Sequence, residues 1–185
     1  TEPLYAATTV DKPTMALALS VEFPTVGAQY VTTGSTDDTY SPDTEYLGYY
    51  DAEACYNYND APTETIPTGF VKADYKRFDR VGKATGRKCA DAFSGNFLNW
   101  SSSSAIDMLR LALSGGDRYI DTPSLTILQR AVVPNGDPIC MWNTSNFQAK
   151  QLKRNLVANG TYGGAVPQKM VAAAGNNDIY VANTL

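Results

Sequence analysis

The chain has 185 residues, of which 43% are hydrophobic, 11% aromatic and 18% charged, with a formal net charge of −4. That length and apolar content suit one domain with a real core and argue against disorder. The longest apolar run, Met15 to Leu19, falls far short of the ~20 residues of a membrane-spanning helix, and 15 basic against 19 acidic residues with no contiguous Lys/Arg block give a nucleic-acid surface little support.

After a polar entry from Thr1 to Pro13, Met15-Ala16-Leu17-Ala18-Leu19 is continuously apolar and Pro24 ends the run. Its brevity and flanking prolines predict a buried strand. From Gly27 to about Ile66 the composition turns to loop type, with turn signals at Thr32–Thr39 and Ser41-Pro42-Asp43. This stretch holds Tyr40, Tyr46, Tyr49, Tyr50, Tyr56 and Tyr58. Tyrosines at this density build irregular structure whose rings cover apolar surface while the hydroxyls stay wet. The same rings supply rigid contact area at low entropic cost, so Tyr46, Tyr49, Tyr50, Tyr56 and Tyr58 are candidates for a binding surface.

Helical signals concentrate further on. Ser104 and Asp107 have capping-box spacing, and Ala105, Ile106, Leu109, Ala112 and Leu113 share one face before Gly115-Gly116; together they predict a helix over about 102–114. Thr122 as N-cap, Pro123 as first helical residue and the spacing of Leu125, Leu128 and Val132 predict a second over 123–133. Asn146–Val157 reads as a third, with Leu152 and Leu156 inward. The remainder, Asn159 to Leu185, is rich in Gly, Ala and Asn, with one short strand at Ile179–Val181. The start at Thr1 and the end at Leu185 without a closing element read as a mature piece of a longer polypeptide.

The chemistry available is narrow. No histidine is present, which removes the commonest general base and metal ligand, and three cysteines cannot make a four-thiolate zinc site. The serines have no G-x-S-x-G context, Gly82-Lys83-Ala84-Thr85-Gly86 lacks P-loop spacing, and the carboxylates at Asp37-Asp38 and at Asp51 with Glu53 sit in polar stretches where a solvated surface is the default. A non-catalytic protein with no cofactor is therefore expected. Oxygen ligands alone suffice for calcium or magnesium, and Asp37, Asp38, Asp43 and Asp51 are the candidates, although Asp-x-Asp-x-Asp-Gly spacing is absent. Cys55 and Cys89 lie in polar, turn-rich sequence, as disulfide cysteines of oxidising compartments do, and are expected to pair. Cys140 is then unpaired or joined to a cysteine outside this chain. Sequons at Asn99, Asn143 and Asn159 fit an exported protein.

Three stretches resemble one family in order and spacing. They are Ala18-Leu19-Ser20-Val21-Glu22-Phe23-Pro24; Glu45-Tyr46-Leu47-Gly48-Tyr49-Tyr50-Asp51 with Cys55-Tyr56-Asn57-Tyr58; and Phe93-Ser94-Gly95-Asn96-Phe97-Leu98-Asn99-Trp100, followed by Ile106–Arg110 and Leu113–Arg118. Across about residues 12–133 the chain is similar to the PilY1/PilC-like tip-associated proteins of bacterial type IV pili. The resemblance implies a large secreted protein with a von Willebrand factor A-like N-terminal part and a β-propeller further on, acting in tip assembly, adhesion and control of pilus extension and retraction. Many relatives carry Asp-x-Ser-x-Ser, a divalent-cation motif, where this chain reads Leu19-Ser20-Val21-Glu22-Phe23; Ser20 and Glu22 are the oxygens that remain. Phe97, Leu98 and Trp100 read most simply as core.

The expected architecture is thus α/β: a von Willebrand factor A-like region over 1–140 with a loop-rich, tyrosine-rich, disulfide-stapled insertion at about 27–92, then a helix and Gly/Ala/Asn-rich tail over 141–185. The expected function is that of a tip-associated adhesin or assembly factor of a type IV pilus, exported through the periplasm to the cell surface and meeting minor pilins and a host or surface ligand through protein–protein contact. A structural or minor subunit of an extracellular filament and a divalent-cation-dependent binding module are the alternatives.

Overall fold

The motif around Trp100 forms the centre of the molecule. In the computed structural model, which describes residues 25, 27–34, 36–131, 148–156 and 160–181, Gly95–Ser102 is helix α1. Ser94 caps it by accepting the Phe97 amide. Every residue of α1 from Gly95 to Ser101 is buried, and Trp100 is only 1% exposed. Gly95 is required where it stands, because a Cβ there would meet the Asp51 carbonyl oxygen at 2.1 Å. Phe97 and Trp100 pack on Tyr40 with ring centroids 5.5 and 5.4 Å away, and the same core takes in Tyr46, Ala54, Tyr56, Leu152, Tyr162, Ala165 and Val166.

The helix expected over about 102–114 forms with the cap and stop that its sequence implies, and Ser102 belongs to the end of α1 instead. Ser103 is extended and ends α1; α2 runs Ala105–Ser114, capped by Ser104 and closed by Gly115 at φ +77°. The apolar stripe of α2 faces away from this core: Leu109 is 36% and Leu113 46% exposed, while the residue α2 buries is Asp107. Polar backbone contacts hold the helix at its N-terminal turn instead, with Ile106 N–H donating to the Thr25 carbonyl and Gln29 N–H to that of Ser103.

Two three-stranded sheets flank α1. One is antiparallel, with β2 (Ala54–Asn59) between β3 (Arg77–Lys83) and β4 (Phe93–Ser94). The other is mixed, with β7 (Ala149–Leu152) between a parallel β1 (Thr36–Asp37) and an antiparallel β10 (Ile179–Val181). Two small hairpins complete the strands: β5 (Arg118–Thr122) with β6 (Leu125–Leu128), and β8 (Asn155–Leu156) with β9 (Gly160–Thr161). Helix α3 is Gln168–Ala174.

Several expectations are corrected. The proposed helix over 123–133 is largely strand: Pro123-Ser124 is the turn of the β5–β6 hairpin, Thr122 Oγ1 accepts the Leu125 amide at 3.0 Å, and the period-2 set Leu125, Ile127 faces Ile120 and Tyr75 in a second small core. The proposed helix over Asn146–Val157 is replaced by β7 and β8, although Leu152 does point inward and is fully buried. The boundary between 140 and 141 does not separate a tail from a domain, because Leu152, Tyr162, Ala165 and Val166 share one core with Tyr40 and Trp100. Backbone bonds reinforce the union: Cys89 and Ser94 N–H donate to the carbonyls of Gly164 and Ala165. The resemblance implied a von Willebrand factor A-like parallel sheet; among the described residues the parallel pairing is that of β1 with β7, two residues long. The molecule is a small α/β domain with mixed sheets. The Met15–Leu19 strand, Ser20, Glu22, Cys140 and the Asn143 and Asn159 sequons lie outside the described residues.

Cys55 on β2 and Cys89 in the loop before β4 are joined, with Cα atoms 5.9 Å apart and a sequence separation of 34. The bridge closes a loop carrying β3, and replacing both cysteines by alanine is expected to lower stability in urea unfolding by about 4 kcal/mol on the loop-entropy relation.

Lys150 and Asp37 form a buried ion pair at 2.6 Å across the β1–β7 pairing, with the ammonium 4.8 Å from the Trp100 ring. Burial alone would push the Asp37 carboxyl up, but hydrogen bonds from Lys150 and Thr39 outweigh it and hold the group below the ordinary carboxylate range. Because the unfolded chain then binds this proton more tightly, the stabilisation is complete above about pH 4 and is lost as pH falls through the folded value. Asp37→Asn is expected to cost about 3 kcal/mol at pH 7 by leaving a buried ammonium without its counter-charge, and the urea midpoints of variant and parent should draw together as pH falls through the folded value.

Candidate functional site

The candidate site is a cleft between the β2–β3 ladder, the β5–β6 hairpin and the ends of α1 and α2. Its construction begins in the loop over residues 44–50, which has no regular structure of its own. Two asparagines of α1 hold it. Asn96 Oδ1 accepts the Tyr46 amide and its Nδ2 donates to the Thr44 carbonyl, both at 2.8 Å. Asn99 Oδ1 accepts the Tyr50 amide at 3.0 Å, while Nδ2 donates to the Tyr46 and Tyr50 carbonyls at 2.8 Å. Asn99 is buried and fully committed to the backbone, so the sequon it heads is not an accessible glycosylation site in this fold. Gly48 allows the close approach: a Cβ there would lie 2.3 Å from Asn99 Oδ1 and from Ser103 Oγ.

The five tyrosines proposed as a surface separate under these constraints. Tyr46 is 7% exposed, its ring edge-on to Tyr30 at 4.9 Å and its hydroxyl accepting the Ser41 amide. Tyr56 is buried as well, and its hydroxyl accepts the Asp51 amide. Both are corrections to the expected contact surface, and the cause is that their hydroxyls satisfy loop amides that would otherwise be orphaned. Tyr49 and Tyr50 are half-buried and line the cleft; Tyr58, 51% exposed, stands at its rim. Tyr50 packs edge-on to Tyr56 and Phe78 at 5.1 and 5.8 Å, and Phe78 in turn to Phe93 at 5.2 Å, an aromatic ladder across β2, β3 and β4.

The cleft has two chambers of about 220 and 310 Å³ that share Tyr50, Arg77, Phe78, Ile127, Leu128 and Arg130. Arg77 is paired with Glu64 and with Asp79. Among the described residues Arg130 has no carboxylate in an ion pair with it, and it donates to the neighbouring Ala131 carbonyl at 3.3 Å. Burial lowers its guanidinium from the ordinary range, opposed by Tyr50 and Asp107. Burial likewise pushes the Tyr50 phenol up to about 12, so it remains a donor at neutral pH. For Tyr49 burial raises the phenol, the Asp117 amide opposes and the Asp107 carboxylate reinforces. Asp107 itself accepts from Ser104 Oγ at 2.7 Å and from the Ala131 amide at 2.9 Å, which ties the end of the hairpin segment to α2.

Arg77, Phe78, Ile127 and Arg130 carry no signal of a site in the sequence, and Leu128 reads there only as part of the expected helical face. The alternation of Ile120 with Tyr119 and Asp121, and of Ile127 with Thr126 and Leu128, was the available signal for the hairpin that carries Arg130, but capping chemistry at Thr122-Pro123 fits a helix equally well. Of the four aspartates weighed as cation ligands, Asp37 pairs with Lys150, Asp38 with Lys153 and Asp51 with Arg80, while Asp43 is exposed. Among the described residues no three Asp, Glu, Cys or His side chains converge as a metal site, and no helix there is long and apolar enough to cross a membrane.

Replacing Asn99 by alanine should strand the Tyr50 amide and the Tyr46 and Tyr50 carbonyls, lowering stability by about 3 kcal/mol. The expected readout is a lower urea midpoint together with broadened amide resonances confined to residues 44–50.

Known proteins now give this geometry a family. The family described as "PilY1 homolog, small alpha/beta domain" matches residues 37–162, further along the chain than the 12–133 of the resemblance. Two proteins of Xylella fastidiosa (strain Temecula1), each named Type IV pilus biogenesis factor PilY1 homolog, are similar: one is 36% identical over 124 residues, covering 67% of this chain and 10% of the relative, and the other is 34% identical over 102 residues, covering 55% and 6%. The chain therefore spans a tenth or less of the length of these curated relatives. No solved structure matches it. A disulfide-closed α/β domain, with α1 at its centre and the aromatic cleft beside it, is thus what this stretch of sequence encodes, and the chain belongs to the PilY1 homolog family.

Proposed function

We propose that this domain is a non-catalytic recognition module of a type IV pilus biogenesis factor, working at the cell surface by protein–protein contact with pilus subunits and, through the assembled tip, with a host or environmental surface. The observation that carries the reading is the aromatic cleft within a domain of this family: half-buried tyrosines held rigid from below and open to solvent at Tyr58. A sequence without histidine fits binding rather than turnover. The Cys55–Cys89 bridge fits an oxidising, exported location. The von Willebrand factor A-like part and the β-propeller that the resemblance implies belong, in this reading, to the rest of such a factor.

Tyr58 and Tyr119 stand at the cleft rim and are exposed, so their removal should leave the fold intact. In a strain whose full-length factor carries Tyr58→Ala with Tyr119→Ala, surface attachment is expected to fall several-fold at unchanged factor level. Immunogold labelling of the parent protein should decorate pilus ends. Regular labelling along the fibre would favour a filament subunit instead, and wild-type attachment by the double variant would count against the cleft as the working surface.

A further inference from the structure

Among the polar groups that line both chambers of the cleft, Arg130 and Tyr50 are the two whose hydrogen-bonding capacity the fold leaves open. Among the described residues no carboxylate lies within ion-pair distance of Arg130, and the Tyr50 hydroxyl has no recorded partner there although it is not sealed from the cavity. In the first chamber the other polar side chains are committed: Thr126 Oγ1 donates to Asp121, Ser102 Oγ to the Leu98 carbonyl and Ser103 Oγ to the Leu47 carbonyl. The Tyr49 hydroxyl accepts the Asp117 amide, Asp79 accepts from Arg77 and Asn59, and the Asp107 carboxylate from Ser104 Oγ and the Ala131 amide. What remains is a pair of donors on an apolar floor of Phe78, Ile127 and Leu128.

We infer that this cleft binds an acidic residue of a partner polypeptide, its carboxylate accepting from the Arg130 guanidinium and the Tyr50 hydroxyl and an adjoining apolar side chain lying on Phe78 and Leu128. The inference rests on the recognition reading above and specifies its chemistry. The two chambers, of about 220 and 310 Å³, meet at Tyr50, Phe78, Leu128 and Arg130, which gives room for an acidic side chain and an adjoining apolar one. A guanidinium offers a carboxylate two parallel N–H donors, and the surrounding aromatic rings strengthen those bonds by excluding water. An acidic polysaccharide would present the same carboxylate, but its ring hydroxyls would find few uncommitted partners here, which favours the peptide.

The test is an NMR titration of the ¹⁵N-labelled full chain with the peptides Ac-Phe-Glu-Phe-NH2 and Ac-Phe-Gln-Phe-NH2 and with oligogalacturonate. The glutamate peptide is expected to shift the Arg130 Nε–Hε resonance and the Tyr50 and Leu128 amides, and to bind about tenfold more tightly than the glutamine peptide, the weight of one charge-assisted hydrogen bond. Arg130→Gln should abolish that preference, Arg130→Lys keep part of it and Tyr50→Phe weaken the glutamate peptide about threefold. Equal affinity for the two peptides, an undiminished preference in Arg130→Gln, or binding of oligogalacturonate alone would overturn the inference. Should Arg130→Gln fail to fold by circular dichroism, unchanged affinity in both Arg130→Lys and Tyr50→Phe overturns it equally. A glutamate preference that depends on Arg130, found alongside normal attachment by the Tyr58/Tyr119 variant, would uphold the site while removing the pilus reading; loss of attachment with no glutamate preference would do the reverse.

Discussion

A loop of about seven residues with three tyrosines and no regular secondary structure cannot order itself, since each fixed residue costs roughly 1–2 kcal/mol of backbone entropy. Here the ordering comes from side-chain amides of a helix that is buried along its whole length. Asn96 and Asn99 lie on successive turns of α1 and present carbonyl oxygen and NH2 groups to the loop, replacing the strand ladder it lacks. Every later feature of the cleft depends on this. It sets Tyr50 against Tyr56 and Phe78, and it leaves Tyr46 facing inward, where its ring packs with Tyr30 and Tyr40.

Charge is organised with the same economy. Residues 36–64 carry eight carboxylates and no lysine or arginine, whereas residues 72–88 carry seven basic residues and two acidic ones. Folding lays the second stretch over the first, pairing Arg77 with Glu64, Arg80 with Asp51, and Arg87 with Glu45 and Glu53. Most of these pairs are partly solvated and individually weak. Their joint effect is to favour one docking of β3 and its flanking loops, which the Cys55–Cys89 bridge then makes permanent. Arg130 falls outside both blocks. Among the described residues it has no carboxylate in an ion pair with it.

The curated relatives are much longer, and the chain spans a tenth or less of their length. The physical case for recognition rests on rigidity: the cleft walls are strands and rings whose rotamers are set by packing, so little order need be lost when a partner is bound.

Several features were legible in the residues alone. Local chemistry was sufficient for the Ser104–Asp107 cap and its Gly115 stop, for the Phe93–Trp100 core segment, for the strand at Ile179–Val181 and for the pairing of Cys55 with Cys89, because each depends on groups close in sequence or on the plain character of their surroundings. The motif order was sufficient for the family. Local chemistry could not choose between helix and hairpin at Thr122–Leu128, where Thr-Pro caps one and turns the other, nor foresee that the stripe of α2 faces outward. It could not say which tyrosines would be walls and which core, since a phenol serves both and the choice lies with amides some fifty residues away on α1. Only the tertiary structure brings Arg130 beside Tyr50, because that meeting depends on long-range packing of two hairpins and a helix that no short window of sequence contains.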